Sequence, residues 1–426
     1  KEGMMSLVAT VIPIEKASSK ILVSMFMIYT AFICVSQSWA NDRQETAKQE
    51  RVLLKADRIF DGRTLHEDHA LLIDNGKVIE IGPAPQIRKR GGKELDLGDA
   101  TILPGFIDLH AHLALQNVSH HAVLRHGVTT VRDVGGPLLA PAGGDGSLRV
   151  LRTGPIITAP GGYPIPVFGQ HGHGGGDHGH SDVALVVETP DQAREAVRHL
   201  IQGGAVNIKI ALEPGGEPGA PWTTGHAPSV MPPWPLLPLE IIQAIVDETH
   251  TLGKKVTAHV GEQQGVELAL AAGVDEWAHV PCMEISGDLL QQAVQQGVRI
   301  VTTIDTLSLC PGVYSNTLRL AQLGAQFYYG AEIAHIEIPW GIDARELQLM
   351  LHLTGMTPLA LFETATAKAG EALGLSPLGT LIVGAPADII AVKGNAFENV
   401  KLLEYPDLVI SGGRLIVNHF PSKKAK

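Results

Sequence analysis

The stretch that decides the fold is Pro104-Gly-Phe-Ile-Asp-Leu-His-Ala-His112. It continues a candidate strand at residues 102–107 and ends in two histidines. Side chains two residues apart in a strand point to the same side, so His110 and His112 can present two imidazoles to one metal ion. Because this pair follows the first strand of the middle region, we predict a metal site at the end of that strand.

Outward from this stretch, short apolar runs alternate with helical patterns such as residues 190–202, 239–252, 265–272 and 343–353. The eight candidate strands are residues 102–107, 128–132, 155–158, 206–210, 255–258, 274–278, 298–303 and 325–329. This alternation predicts a parallel sheet with crossover helices. Eight strands in roughly 270 residues fit a (β/α)8 TIM barrel, whose active site lies at the carboxyl ends of the strands. A doubly wound sheet is the rival, but it gives no reason for reactive residues at so many strand ends.

Three more candidate metal ligands lie at strand ends. Lys209 stands in Val-Asn-Ile-Lys-Ile, His259 in Val-Thr-Ala-His and His279 in Glu-Trp-Ala-His. A lone histidine is usually a hydrogen-bonded core residue. Several such residues on successive strands favour a functional site.

At this point the chain resembles the metal-dependent amidohydrolases, especially the branch of Xaa-Pro dipeptidases and imidazolonepropionase-like enzymes. The resemblance covers nearly the whole chain after its first forty residues. It includes the Leu103-Pro-Gly-Phe-Ile-Asp-x-His-x-His start, the Met356-Thr-Pro-Leu helix and the Gly384-Ala-Pro-Ala-Asp-Ile-Ile return.

The resemblance implies a site with two divalent ions, expected to be zinc. His110 and His112 would bind the first ion, His259 and His279 the second, and Lys209 would bridge them as a carbamate formed with carbon dioxide. Imidazole is a good zinc ligand, whereas lysine becomes one only when carboxylated. Two ions about 3.5–4 Å apart can share a hydroxide and polarise a substrate carbonyl.

One position departs from the family pattern. Where the family has a catalytic aspartate after the eighth strand, this chain reads Tyr329-Gly-Ala-Glu-Ile-Ala-His335. We expect Glu332 to touch a metal and to act as the base, although its longer side chain requires a shifted backbone. The alternative is a site that binds metal and hydrolyses poorly. His335 could contact substrate or Glu332, or it is a surface loop residue.

A loop rich in glycine and histidine covers residues 171–180. The resembling branch carries a shorter loop near substrate here, so His171 and His173 are candidate substrate contacts. The other histidines of this loop could capture zinc, and a flexible loop without any site is the alternative. Among other carboxylates, Asp108 is expected to orient the first histidine pair and Asp133 to be structural.

Both ends of the remaining chain have the alternation and turns of β-hairpins, for example at Asp61-Gly62 and Asn75-Gly76. We therefore predict a small composite β-sandwich domain from residues 51–103 and 376–420, around a barrel domain of residues 104–375.

Residues 1–40 have the order of a secretory signal: Lys16 and Lys20, an apolar run at 21–35, then Ser38-Trp39-Ala40. We predict cleavage after Ala40 and export to the periplasm or exterior, with a membrane anchor as the alternative. Export would permit a disulfide between Cys282 and Cys310, although two buried free thiols are the favoured interpretation.

Of the 426 residues, 45% are hydrophobic and 18% charged, and the formal net charge is −11. This acidic balance argues against a nucleic-acid partner and favours a small-molecule or short-peptide substrate. After signal removal no membrane association is expected, and the chain could be an oligomer.

These patterns together predict an exported hydrolase that cleaves an amide C–N bond in a dipeptide or N-acyl amino acid. The same scaffold could also serve for cyclic amide substrates or for a deamination reaction. The rival class is a metal-sequestering protein that uses the His-rich loop and has an inert barrel site. A carbohydrate-processing barrel is disfavoured because it would require paired strand-end carboxylates without the histidines.

Overall fold

The structure, a computed structural model, describes residues 51–169, 183–221, 228–335 and 337–421. The predicted signal peptide and two candidate substrate contacts, His171 and His173, lie outside these residues. Contacts between Cα atoms group the described residues into one unit, Gln49–Lys426. Within the described residues, every helix is too short or too polar to cross a membrane.

The strands of the described residues define the sheets. In chain order they are β1 Val52–Lys55, β2 Arg58–Phe60, β3 Leu65–Glu67, β4 His69–Asp74, β5 Lys77–Pro83, β6 Lys93–Asp96, β7 Ala100–Pro104, β8 Phe106–Ala111, β9 Val128–Asp133, β10 Arg149–Arg152, β11 Ile156–Thr158, β12 Ala184–Val186, β13 Ile208–Leu212, β14 Val256–Val260, β15 Glu276–Trp277, β16 Arg299–Val301, β17 Gln326–Tyr328, β18 Ile389–Lys393, β19 Leu408–Ser411 and β20 Arg414–Asn418.

The helices of the described residues lie mostly between the strands of the middle region. They are α1 Ala84–Ile87, α2 Leu113–Gln116, α3 His120–Arg125, α4 Ile165–Phe168, α5 Pro190–Gln202, α6 Leu239–Thr251, α7 Gln263–Ala272, α8 Gly287–Gln295, α9 Val313–Gln322, α10 Ala344–Thr354, α11 Pro358–Thr364 and α12 Ala367–Ala372. Short 3₁₀ turns cover Arg88–Arg90 and Val400–Glu404.

The middle of the chain forms two parallel sheets, with the orders β10-β9-β8 and β12-β11-β13-β14-β15-β16-β17. Parallel strands that alternate with helices confirm the predicted α/β class. Strands β10 and β12, which are edge strands of their sheets with four and three residues, were not predicted.

The predicted first strand, residues 102–107, is wrong in its bounds, because it combines two strands of different sheets. β7 pairs with β18 and β2, whereas β8 pairs with β9. Gly105 separates them, and a Cβ atom there would lie only 2.2 Å from a Thr129 side-chain atom. The chain therefore changes sheets at a residue without a side chain, and His110 enters the middle region on β8.

Helix α5 shows how the sequence sets its own boundaries. The Thr189 hydroxyl accepts a hydrogen bond from Gln192 N, and Pro190 occupies the first turn, where its missing N–H costs nothing. Its buried residues, at positions 193, 196, 197 and 200, have the spacing of one helix face. The helix therefore packs onto the sheet through that face.

Strands from the two ends of the described chain meet in a mixed six-stranded sheet of order β20-β19-β18-β7-β2-β3. The central pairing is antiparallel and joins Ile389 to Pro104 and Lys393 to Ala100. A separate apolar cluster, which includes Ile59, Ile102 and Ile389, packs against this sheet. A second sheet, of order β5-β4-β1-β6, is formed by strands within residues 52–96.

Cys282 and Cys310 form a disulfide, so the expectation of two free thiols is wrong. The two residues are 28 positions apart in sequence, yet their Cα atoms lie 4.9 Å apart. Each follows the end of one of two neighbouring parallel strands, β15 and β16. Because such ends meet at one edge of a sheet, tertiary packing brings the two thiols together.

A buried ion pair joins the two parallel sheets. Arg132, on β9, donates to the carboxylate of Glu276, on β15, and both side chains are almost fully buried. Thr257 Oγ1 also donates to this carboxylate, at 2.7 Å. Burial alone would raise the pKa of Glu276, but the positive charges of Arg132 and Arg299 and the hydrogen bonds from Arg132 and Thr257 together lower it.

We expect Glu276→Gln to lower the free energy of unfolding by about 3–5 kcal/mol, because it leaves the Arg132 guanidinium buried without its counter-charge. Urea unfolding of parent and variant measures this loss. The double variant Arg132→Met/Glu276→Leu, which removes both charges, should recover most of it. A loss below about 1 kcal/mol in the single variant would contradict the importance of this pair.

Glu346, on α10, is a second buried carboxyl group, and it accepts a hydrogen bond from Asp305 N at 2.7 Å. Burial first, and then the charge of Asp343, raises the pKa of Glu346 from 4.5 to about 8. The folded protein therefore keeps a proton that the unfolded chain releases at lower pH. The resulting stabilisation is fully present below pH 4.5 and is lost as the pH rises towards about 8.

We expect the unfolding free energy to fall between pH 5 and pH 8 by up to about 1.4 kcal/mol per pH unit from this group. The Glu346→Gln variant should show a flatter dependence, whereas the exposed-site variant Glu398→Gln should follow the parent. Urea unfolding at both pH values gives the comparison. Parallel curves for parent and Glu346→Gln would refute the assignment.

Candidate active site

Four imidazole rings meet at the carboxyl ends of the parallel strands. His110 and His259 lie near the ends of β8 and β14. His112 directly follows β8, and His279 is the second residue after β15. The ring centroids of His110 and His279 are 4.5 Å apart, and those of His259 and His279 are 4.7 Å apart. The Nε2 atoms of His110 and His112 are 3.2 Å apart. The fold therefore brings together the four histidines that the sequence singled out.

The environment keeps these imidazoles uncharged. Burial is the largest cause and lowers the pKa of His112 to about 3 and those of the other three well below the ordinary value of 6.5. The charge of Lys209 contributes in all four cases. Neutral imidazole is the form that offers a lone pair to a metal ion.

Lys209 lies on β13, and its side chain is among the largest fully buried ones. Among the described residues, its Nζ has no hydrogen-bond partner. Burial lowers the pKa of Lys209 to about 7, and the negative charge of Glu332 only partly opposes this effect. Since its charge acts on all four imidazoles, the amine lies in their midst.

Glu332 lies beside the same rings. Its Oε1 atom is 3.8 Å from His112 Nε2, and its Oε2 atom is 3.8 Å from His279 Nδ1. Its backbone donates a 2.8 Å hydrogen bond to His110 O and has a φ of +61°, in the left-handed region that side-chain-bearing residues rarely adopt. Burial raises the pKa of Glu332 to about 8, against the effect of Lys209. Glu332 thus has a strained backbone conformation at the position where the sequence departs from the family pattern. Strain of this kind is typical of functional sites.

The two nearby aspartates hold the backbone of the site. Asp108 Oδ1 accepts from His110 N at 2.8 Å, and both oxygens accept from Ala331 N at 3.3 Å. Through these main-chain contacts, Asp108 positions the strand that carries His110 and the segment that leads to Glu332. Asp133 accepts from the amides of Leu113 and Ala114, as expected for a structural role.

A cleft opens beside His112 and Glu332. Apart from these two and Gln116, its lining consists of His335 and apolar residues: Leu115, Ile156, Tyr163, Pro164, Phe168, Val183 and Ala334. The structure thus places His335 in the cleft wall, half-buried, where it can reach a bound molecule.

Sequence reasoning missed two residues that contact one of the histidines. Tyr163 stacks on His259 with a centroid distance of 4.6 Å, and Glu213 Oε2 lies 3.3 Å from His259 Nε2. Burial and a hydrogen bond with Glu217 raise the pKa of Glu213 well above its ordinary value. Glu213 directly follows β13, so its strand-end position was a usable signal, whereas nothing in the sequence around Tyr163 indicated its role.

The residues present fit a divalent metal centre. Ligand atoms of His110, His279 and Glu332 all lie within 4.8 Å of one another. Within the described part of the chain, the Nδ1 atoms of His110 and His112 and the Nζ atom of Lys209 are buried without a hydrogen-bond partner. Buried polar atoms rarely stay unpaired, and imidazole and carboxylate are the usual donors to zinc.

Parallel strands, crossover helices and a histidine-rich site at the strand ends define the class as a TIM-barrel-like α/β protein. Residues 101–416 match the Amidohydrolase family, so the chain belongs to that family.

Known proteins agree with this assignment. Ochratoxinase from Aspergillus niger is 28% identical over 302 residues, which are 66% of this chain and 58% of that protein. This chain thus matches less than two thirds of the length of that relative. An uncharacterized protein of Mycobacterium bovis is 24% identical over 351 residues, 74% of this chain and 84% of that protein.

Solved structures share the fold. The crystal structure of A. niger ochratoxinase has a TM-score of 0.68 at 21% identity, covering 87% of this chain and 96% of that one. A Xaa-Pro dipeptidase with bound methionine has a TM-score of 0.66 at 22% identity, covering 86% and 99%.

Proposed function

We propose that this chain is an amidohydrolase with two divalent metal ions that cleaves the amide C–N bond of a dipeptide or an N-acyl amino acid. The observation that carries the proposal is Lys209, whose buried Nζ has no hydrogen-bond partner among the described residues and whose charge acts on all four imidazoles. A lysine needed only for packing would leave an amine in a costly position.

Carboxylation of Lys209 explains this position. With its pKa lowered to about 7, a large share of the amine is uncharged at neutral pH. The uncharged Nζ can attack carbon dioxide, forming an N–C bond and losing one proton to water. The product is a carbamate anion. Together with His110, His112, His259 and His279 it would hold the two divalent ions.

The two ions, for which zinc is the test metal, would supply Lewis acidity that polarises an amide carbonyl and makes water a better nucleophile. Glu332 lies between His112 and His279, where it can take the proton of the attacking water and return it to the leaving amine. Asp108 holds the backbone of both His110 and the Glu332 segment, so base and ligands keep a fixed geometry.

The cleft indicates the character of the substrate. Seven of its lining residues are apolar, and the described lining includes no lysine or arginine. We therefore propose that an apolar group adjoins the scissile amide, with His335 as a polar contact. The similarity to ochratoxinase and to a Xaa-Pro dipeptidase supports an amide or peptide substrate.

The test is release of free amine from a panel of dipeptides and N-acyl amino acids by zinc-loaded protein. Amides with apolar groups should be cleaved at least about tenfold faster than analogues with an acidic group at the same position. Protein stripped of metal with a chelator is the control and should be inactive. Failure of the zinc-loaded protein to cleave any amide would overturn the proposal.

The finer architecture belongs to the same proposal. The two parallel sheets are proposed to close into one barrel over residues 104–375, supported by the bridge between Ala111 and Ile333. Residues 51–103 and 376–420 are proposed as the composite β domain, supported by the pairing of β7 with β18. Export after cleavage at Ala40 remains a proposal, supported by the order of residues in the first forty.

A further inference from the structure

The carboxyl group of Glu213 lies against one of the proposed ligands, His259. Its Oε2 atom is 3.3 Å from His259 Nε2, and both side chains are almost fully buried. The Tyr163 ring stacks on the imidazole at an interplanar angle of 30°. The edge and one face of His259 are therefore both in contact with protein groups.

The position of Glu213 is fixed by its neighbours. Gly215 N donates to Glu213 Oε1 at 2.7 Å, and Glu217 hydrogen-bonds to the same carboxyl group. Gly261 leaves room for both carboxyl groups, since a Cβ atom there would lie 2.2 Å from Glu213 Oε2 and 2.5 Å from Glu217 Oε1. The glycine directly beyond β14 is thus required by the carboxylate rather than by a turn.

We propose that Glu213 is a positioning residue that accepts the Nε2–H hydrogen bond of His259 and so directs the Nδ1 lone pair towards a metal ion. A neutral imidazole carries one proton, and the nitrogen that holds it cannot bind an ion. The proton that Glu213 holds lies in its hydrogen bond with Glu217, which leaves a lone pair of Glu213 Oε2 to accept from His259. This acceptor fixes the ring proton on Nε2 and orients the ring. This inference rests on the proposed ligand set, in which His259 binds an ion.

The isosteric variant Glu213→Gln tests this role. Because Gly215 N donates to Oε1, the glutamine should place its carbonyl oxygen there and turn its NH₂ group towards His259. His259 Nε2 would then have to accept, which moves the ring proton to Nδ1 and blocks the ion. We expect zinc affinity, measured by competition with a chelator, to fall about 10- to 100-fold.

Two comparisons separate positioning from space filling. Glu213→Ala should weaken zinc binding about as much as Glu213→Gln, whereas a space-filling role predicts that glutamine restores binding. Gly261→Ala, which would displace both carboxyl groups, should also lose zinc affinity. Gly297→Ala is its control, because it strains a glycine with a φ of +71° while its Cβ would have no atom within 4 Å. It should lower stability without a selective loss of zinc from the protein that folds.

The outcomes distinguish this inference from the proposed function. The inference is supported if the parent and the exposed-site variant Glu267→Gln bind zinc equally well and Glu213→Gln binds it at least tenfold more weakly. The unfolding temperature of metal-free Glu213→Gln should be that of the parent. A Glu213→Gln variant that binds zinc as tightly as the parent overturns the role of Glu213 alone. A parent that takes up no zinc overturns the proposed metal centre.

Discussion

Replacing Lys209 with alanine is expected to reduce the bound zinc from two ions per chain to one or none, and to lower turnover by roughly 10³-fold or more. The variant removes the proposed bridge between the two histidine pairs while leaving all four imidazoles in place. Elemental analysis of protein purified without a metal-affinity tag gives the ion count, and amine release gives the rate. The control variant Lys255→Ala, which replaces an exposed lysine with alanine, should retain both ions.

The carbamate itself can be tested in the parent. Zinc reloading of metal-free protein in buffer depleted of carbon dioxide should leave fewer ions bound than reloading in bicarbonate, because the amine alone has no anionic oxygen to offer. The Lys209→Ala variant should respond to neither buffer. Metal content indifferent to Lys209 would contradict the bridged site and favour the metal-sequestering alternative, in which the barrel site is inert.

Replacing Glu332 with glutamine is expected to lower turnover by about 10²- to 10⁴-fold, because glutamine can neither take a proton from water nor return it to the amine. Zinc content should change little, since the amide keeps an oxygen at the same distance. Stability of the metal-free protein should not fall, because burial already raises the pKa of Glu332 to about 8, so a neutral amide replaces a largely neutral carboxyl group. Parallel measurement of turnover, zinc content and unfolding temperature checks all three.

Glu337→Gln provides the matched control, since it alters an exposed glutamate five residues further along the same segment. Undiminished turnover in Glu332→Gln would remove Glu332 as the base. Glu332→Asp restores the family's residue but on a backbone with a φ of +61°, so we expect it to be slower than the parent. A faster aspartate variant, from a slow parent, would indicate the alternative of a site that binds metal and hydrolyses poorly.

The histidines and Lys209 could be predicted because each stands at the end of a recognisable apolar run, where a parallel sheet places its functional residues. The boundary of the first strand could not, because residues 102–107 read as one apolar run. Gly105 divides them only through its close approach to Thr129. The Cys282–Cys310 bond was missed for the same kind of reason, since its two residues are neighbours only across adjacent strands.

By itself, the sequence determined the α/β class, the amidohydrolase resemblance and the set of His110, His112, Lys209, His259 and His279. These are local patterns of periodicity and motif. Only the tertiary structure decided that Glu213 and Tyr163 contact His259, that Asp108 acts through the backbone, and that Lys209 is buried without a partner among the described residues. Such contacts depend on which strand ends meet, and burial changes the charge of a group by removing the water that would solvate it.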